Sequence, residues 1–375
     1  MSQRWLSWRF CPLSKALRYA RRTSSPVEIE QHFGESTPLS IGVEEEVMLL
    51  DGETMAPVPA VRQLLADAEG RELPGRLKTE LHASIVELNT DICGSVDEAV
   101  DALAALRATA AELLERRGLR LGAAGSHPFA HPEELDVVDE ERYQEFVGYA
   151  GVTARRQGVS GVHVHVGMPG PDECLATLET ILPWMPLVLA LSANSPYLAG
   201  KATGLASNRA EVLAQLPRSG APPVFRSYTE WEDWVGRFLG TGLASDYTQF
   251  WWDVRPHPRF GTLEIRMPDQ PTALPVTAAL IELVRDLCEV ALEHPATAAA
   301  DRAIYQQNRW AAARFGPEAK LIHDGRLASV PELVAELPVD AVGLDPTTSE
   351  AARQLAVDGD LRSVCLDIVE RTWPS

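Results

Sequence analysis

Three stretches carry side chains able to do chemistry together. In Ile41 to Leu50, IGVEEEVMLL, side chains alternate on a period of two, as along a strand. Ile41, Val43, Val47 and Leu49 share one face with Glu45, while Glu44 and Glu46 share the other. Side-by-side carboxylates repel, so such a pair persists because both are solvated or because a cation sits between them. Alone, this stretch favours solvation, since charged residues usually stay in water. In GVHVHVG, 161–167, Val162, Val164 and Val166 face one way and His163 and His165 the other. Two imidazoles on one face, flanked by glycines that permit close approach, suit ligand binding as readily as a structural role. In WWDVRPHPRFGTLEIRMPD, 251–269, Glu264 and Arg266 share a face opposite Leu263, Ile265 and Met267, and Arg255 and Arg259 come just before. Glu264 and Arg266 could simply pair on a surface strand. Three arginines so close together in an acidic chain suit an anion, because guanidinium forks match carboxylate and phosphate oxygens.

Glu80 and Glu87, in TELHASIVELNT, are seven residues apart. They would share a helix face but not the face of an unbroken strand, so a common site needs a bulge or a change of structure between them. Taken together, Glu44, Glu46, Glu80, Glu87 and Glu264 are the ligands a hard divalent cation such as Mg²⁺ or Mn²⁺ prefers. Metal-bridged phosphates with arginines alongside are the parts of a phosphoryl-transfer site. The chain has no GxxxxGK[ST] and no GxGxxG, so a nucleotide would be held by neither a P-loop nor a Rossmann turn.

Several elements must position these residues. Ser95 to Arg117 reads as a helix with a capping box, Ser95 and Glu98, and with Gly118 just past its end. Other helices are expected over 61–69, 143–157, 229–239, 275–293, 301–314, 330–336 and 348–371. Cys174 to Leu191 reads as an apolar helix kinked by Pro183 and Pro186. Strands are expected at 41–50, near 85–90, at 119–124 and 160–168, and in two segments joined by a turn within 250–268. Strands of antiparallel character interrupted by long helices imply an α+β fold.

Composition narrows the partners. The 375 residues hold 34 basic and 53 acidic side chains, a net charge of −19. That balance opposes nucleic-acid binding, which needs a basic surface. Five scattered cysteines with no CxxC fit buried thiols in a reducing compartment, and a cytoplasmic location is expected. The longest apolar run, Ile181 to Leu191, is too short to span a bilayer, so no membrane partner is expected. Residues 1–27 carry Arg4, Arg9, Lys15, Arg18, Arg21 and Arg22 and no acid. The Arg21–Arg22 pair is followed by no apolar stretch, so it does not read as an export signal. Residues 1–38 are therefore assigned to a basic, unstructured extension and 39–375 to a single catalytic domain.

Five motifs in order, GVEEEVMLLD, TELHASIVELNTDIC, GVHVHVGMP, LSANSPYLAGKATGLASNR and WWDVRPHPRFGTLEIRMPDQPT, resemble the carboxylate–amine ligases of the glutamate–cysteine ligase type 2 group. The resemblance covers roughly Leu39 to Thr372. It implies a catalytic domain like that of glutamine synthetase, a curved antiparallel β-sheet whose polar face forms the active site and whose other face is backed by helices. It also implies ATP and Mg²⁺ (or Mn²⁺) as cofactors, small-molecule substrates and a homodimer. The implied reaction is formation of an acyl phosphate on L-glutamate, then displacement of phosphate by the amine of L-cysteine. Carried over by residue, Glu44, Glu46, Glu80, Glu87, His163 and Glu264 match metal-binding positions. Arg266 matches the arginine that steadies the transferred phosphate, and Arg209 an anion-binding residue. His165, Arg255 and Arg259 are assigned to nucleotide or substrate binding. Three alternatives stand beside this reading. One is a zinc amidohydrolase using His163 and His165, and another is a ligase of the same family acting on a different acid or amine. The third is a non-catalytic ATP- or metal-binding protein, which would be expected to lack one of the key acids.

Overall fold

A computed structural model describes residues 29–373. Most of the proposed extension, residues 1–28, lies outside the described residues. Residues 29–38 do not behave as an extension. Ile29 is buried in an aromatic cluster, and the His32 and Gly34 amides donate to the Pro258 and Met168 carbonyls at 3.0 Å.

In the first half of the chain, β1 (Ile41–Asp51) is followed by α1 (Val61–Ala68), β2 (Gly75–Thr79), β3 (Ile85–Thr90), α2 (Val96–Glu115) and β4 (Leu119–Gly122). Then come α3 (Glu141–Ala150), α4 (Val152–Arg155), β5 (Val162–Gly167), α5 (Pro171–Ile181) and α6 (Met185–Ser192). A small hairpin, β6 (Tyr197–Leu198) and β7 (Lys201–Ala202), leads to α7 (Asn208–Leu213) and α8 (Tyr228–Thr241). After β8 (Val254–His257) and β9 (Thr262–Ile265) the chain is mostly helical: α9 (Leu274–Glu293), α10 (Arg302–Phe315), α11 (Val330–Glu336), α12 (Glu350–Ala356) and α13 (Leu361–Thr372).

Seven strands form one sheet, ordered β2-β3-β1-β5-β9-β8 with β4 on the far end of β1, and every pairing is antiparallel. The alternation read from the sequence becomes two faces. Ile41, Val43, Val162, Val164, Val166, Val254, Leu263 and Ile265 enter one core with residues of α2, α5, α6, α9 and α10. Burial of that face is the main force fixing the register, because a slip of one residue would turn every valine outward. Glu44, Glu46, Glu87, His163, His165, Arg255 and Glu264 are left on the opposite face.

The apolar stretch Pro171–Ser192 is long enough and apolar enough to cross a bilayer, but it is mostly buried within the protein. It is interrupted by a 3₁₀ turn at Leu182–Trp184, where the prolines remove helix hydrogen bonds. Three expectations about elements need correction. The helix expected over 143–157 breaks at Gly151, whose φ is 60°. The helix expected over 348–371 is two helices, 350–356 and 361–372. A hairpin, Lys320–His323 with Arg326–Ser329, lies between the helices expected at 301–314 and 330–336, where no strand was expected.

Candidate active site

Strand register brings the chemistry-bearing residues into rows. Glu44 lies opposite His163 on β5 and opposite Asn89 on β3. Glu46 lies opposite Glu87, His165 opposite Glu264, and Glu264 opposite Arg255. Directly opposed side chains on one face are about 5 Å apart at Cβ, so these residues must interact.

The Glu44 carboxylate accepts from the Asn89 amide at 2.9 Å, and its other oxygen lies 3.2 Å from His163 Nδ1. His165 Nε2 is 3.8 Å from Glu44 Oε1 and 4.0 Å from Glu264 Oε1. His163 Nε2 is 3.8 Å from Glu46 Oε1. Both Nε2 atoms are buried without a hydrogen-bond partner. An orphaned buried imidazole nitrogen is costly, and here each points toward carboxylates. Glu44, His165 and Glu264 each offer one atom within 4.8 Å of the others. Two carboxylates and an imidazole in that spacing fit a divalent cation.

Glu264 is held by both neighbours. Arg255 donates from Nε at 2.7 Å and from Nη2 at 3.0 Å, and Arg266 donates from Nη1 at 2.5 Å. Burial opposes ionisation of Glu264, but the two guanidinium charges outweigh it and hold its carboxyl well below the usual range. Glu44 is also buried, and His163 and His165 likewise hold it well below. Burial and the Arg266 charge push the His163 imidazole down.

Glu80 and Glu87 behave in the opposite way. Burial and the Glu46 charge raise Glu80 to about 7. Burial, then Glu44 and Glu80, push Glu87 well above its ordinary value, although Lys78 Nζ lies 3.5 Å away. Like charges crowded into a buried place lower their energy when a cation joins them. The break needed for Glu80 and Glu87 to share a site is present. β2 ends at Thr79 and β3 begins at Ile85, so Glu80 sits in the connection.

Two cavities flank this cluster. One, of about 650 Å³, is lined by Glu44, His165, Arg76, Lys78, Arg259 and Phe260 among others. The other, of about 230 Å³, includes Glu46, Glu80, His163, Arg142, Arg209 and Arg266. Arg209, 2% exposed, donates to the carbonyls of Arg266 at 3.0 Å and Met267 at 3.2 Å. Arg255 reaches neither cavity. Its fork is occupied by Glu264 and by the Thr248 and Phe250 carbonyls, so it positions a carboxylate instead of meeting a ligand.

Several supporting residues escape sequence reading. Asn89 carried a signal, since it shares the Glu87 face of its alternation. Gln270 carried none, because it lies beyond β9. Its Oε1 accepts from the Glu46 amide at 3.1 Å, and its Nε2 donates to Glu45 at 2.9 Å. Glu45, the acid on the apolar face of β1, is fully buried and meets Arg107 through bonds of 2.6 and 2.7 Å.

The family model described as "Glutamate-cysteine ligase family 2 (GCS2)" matches residues 40–361. A Rubrobacter xylanophilus protein provisionally named glutamate–cysteine ligase 2-3 is 40% identical over 365 residues, covering 92% of this chain and 100% of that protein. A Herpetosiphon aurantiacus protein, provisionally named glutamate–cysteine ligase 2, is 36% identical over 306 residues, covering 80% of this chain and 79% of that one. The fold is shared with the glutamate–cysteine ligase of Francisella tularensis solved in complex with AMP (TM-score 0.64, 14% identity, 90% of this chain and 89% of that). The family match and these relatives define an ATP-dependent ligase. Within that class, the chain belongs to glutamate–cysteine ligase family 2.

Proposed function

We propose that this enzyme joins L-glutamate to L-cysteine at the expense of ATP, giving γ-glutamylcysteine, ADP and phosphate by way of a γ-glutamyl phosphate. The reading rests on one observation above all. The unpartnered Nε2 atoms of His163 and His165 face Glu44, Glu46 and Glu264 at the junction of two cavities that both carry arginine. The larger cavity, with apolar walls and the cations Arg76, Lys78 and Arg259, suits a nucleoside triphosphate. The smaller, with three arginines beside carboxylates, suits amino acids.

Glu44, His165 and Glu264 would hold one Mg²⁺, and the mutually repelling Glu46, Glu80 and Glu87 would add negative charge beside it. Bound there, a divalent cation would supply positive charge to offset that of the triphosphate. Arg266 donates toward the phosphoryl group as negative charge develops on it, and Glu264 fixes that guanidinium at 2.5 Å. Arg209 lines the smaller cavity on rigid backbone contacts and meets the substrate carboxylate or the acyl phosphate. With metals and ATP inside the cell as reactants, the cytoplasm is the proposed location.

The hydrolase reading keeps only the His163-x-His165 spacing. The surrounding oxygen donors favour a hard cation over zinc, and the family is one of ligases. The test is ADP release from ATP and Mg²⁺ with L-glutamate, with and without L-cysteine, beside a Glu264→Gln control. The expected result is release that requires both amino acids and the metal and disappears in the variant. Release with glutamate and a different amine would replace cysteine. No release with any acid and amine pair would remove the ligase mechanism from this chain.

A further inference from the structure

Phe260 is 49% exposed and lies at the edge of the larger cavity. One face of its ring is covered. The His257 ring stacks on it with centroids 4.1 Å apart and planes 20° apart. His165 meets it in an edge contact at 5.5 Å. The remaining surface lines the 650 Å³ cavity.

The turn that carries Phe260 is clamped. The His32 amide donates to the Pro258 carbonyl and the Met168 amide to the Gly261 carbonyl, both at 3.0 Å. Gly261 has a φ of 65°, and a Cβ there would lie 2.3 Å from the His32 carbonyl oxygen. The backbone therefore holds a ring rigidly against the cavity, where it is wetted unless something flat and apolar covers it. Arg259 immediately precedes Phe260, and Arg76 and Lys78 line the same space. Among the described residues, neither Arg76 nor Arg259 forms an ion pair with a carboxylate. The cavity floor reaches Glu44 and His165. An aromatic face, unpaired cations and a carboxylate–imidazole cluster in one cavity match the three parts of a nucleotide: base, phosphates and the metal they carry.

We propose that Phe260 is the base platform of the nucleotide site, with the purine of ATP stacked on its open face and the phosphates running past Glu44 and His165 toward His163 and Arg266. This rests on the ATP-dependent reading above and adds the residue that selects the base. A purine covers more of the ring than a pyrimidine does, so the platform also sets a preference for ATP over CTP.

The experiment titrates a non-hydrolysable ATP analogue, the matching CTP analogue and inorganic tripolyphosphate, each with Mg²⁺, into the full-length protein and its Phe260→Ala, Phe260→Leu and Phe260→Trp variants. Because the side chain is half exposed, truncation opens little internal space, and an unchanged melting temperature checks the fold. Phe260→Ala is expected to weaken the ATP analogue roughly tenfold or more while leaving tripolyphosphate unchanged. The purine preference should shrink, KM for ATP should rise more than kcat falls, and Phe260→Trp should restore binding. Phe260→Leu, which keeps bulk but loses the π-face, should fall between alanine and wild type. Unchanged affinity in Phe260→Ala overturns the proposal, as does an equal loss for ATP and tripolyphosphate. Failure of the wild type to bind any nucleotide is a different outcome, which sinks the ATP reading along with the platform.

Discussion

Gly161 sits where β5 begins, and its missing side chain makes room for Arg209. A Cβ at this position would lie 2.1 Å from Arg209 Nη2 and 2.4 Å from Cζ. Carbon cannot approach that closely, so in Gly161→Ala the guanidinium must shift by an ångström or more. It is pinned by donation to two carbonyls at 3.0 and 3.2 Å, and a hydrogen bond from a charged donor contributes about 1.5–3 kcal/mol. The Gly161 amide also donates to Glu46 Oε2 at 2.6 Å, so the strain reaches a proposed metal ligand. Losing one to two such bonds predicts a destabilisation of about 2–4 kcal/mol. For a chain of this size, that is a melting temperature lower by roughly 3–5 °C. Displacing an arginine of the smaller cavity by about 1 Å predicts a loss near 10²-fold in kcat for ADP release. The assay pairs thermal denaturation with steady-state kinetics on Gly161→Ala, Arg209→Ala and the double variant. If Arg209 is the obstacle, the alanine at 161 should cost little once Arg209 is shortened, giving a large coupling energy. Wild-type stability and turnover in Gly161→Ala, or strict additivity in the cycle, would refute the close-approach argument.

Arg107→Leu should destabilise the protein by about 3–5 kcal/mol in urea unfolding, because Glu45 would remain buried and uncompensated. Arg107→Leu with Glu45→Leu should recover much of that loss, and a single variant losing under about 1 kcal/mol would contradict the account. Acid should weaken the fold through His82 and His127, each lowered to about 4 by burial. Their folded pKa lies below the unfolded 6.5, so the unfolded state takes the proton first as pH falls. Their full stability is therefore present above about pH 6.5 and declines toward pH 4, by about 2 kcal/mol each at pH 5. His127 Nδ1 accepts from the Phe129 and Ala130 amides at 3.3 and 3.0 Å, so protonation there sets donor against donor. Urea midpoints at pH 7 and pH 5 measure the slope, which His127→Asn should flatten. An identical slope in that variant would count against the assignment.

What could be read in the sequence was what depends on near neighbours. Period-two alternation in 41–50, 161–167 and 262–267 separated a valine and isoleucine face from a face of acids, histidines and arginines. The sheet kept that division because one face had to leave water. The same logic placed Glu44, Glu46, His163, His165, Glu264 and Arg266 on one surface before any pairing was known. It also showed that Glu80 and Glu87 needed a break between them, which the connection 80–84 supplies.

Tertiary structure decided what depends on distant segments meeting. Alternation does not say which strand lies beside which, so the contacts Glu44–His163, His165–Glu264 and Glu264–Arg255 emerged only from register. Arg255 and Arg266 look alike in sequence. The fold turned one into a brace for Glu264 and left the other facing a cavity, because Arg255 lies directly across the strand pair from that carboxylate. Glu45 looked misplaced on an apolar face until Arg107 arrived from a helix 62 positions away. Phe260, in a turn with no pattern of its own, gained its meaning when His32, His257 and the cavity closed around it. Local pattern fixes which way a side chain points, because backbone geometry is local. It cannot fix what the side chain points at, because that partner is brought by burial of the whole core.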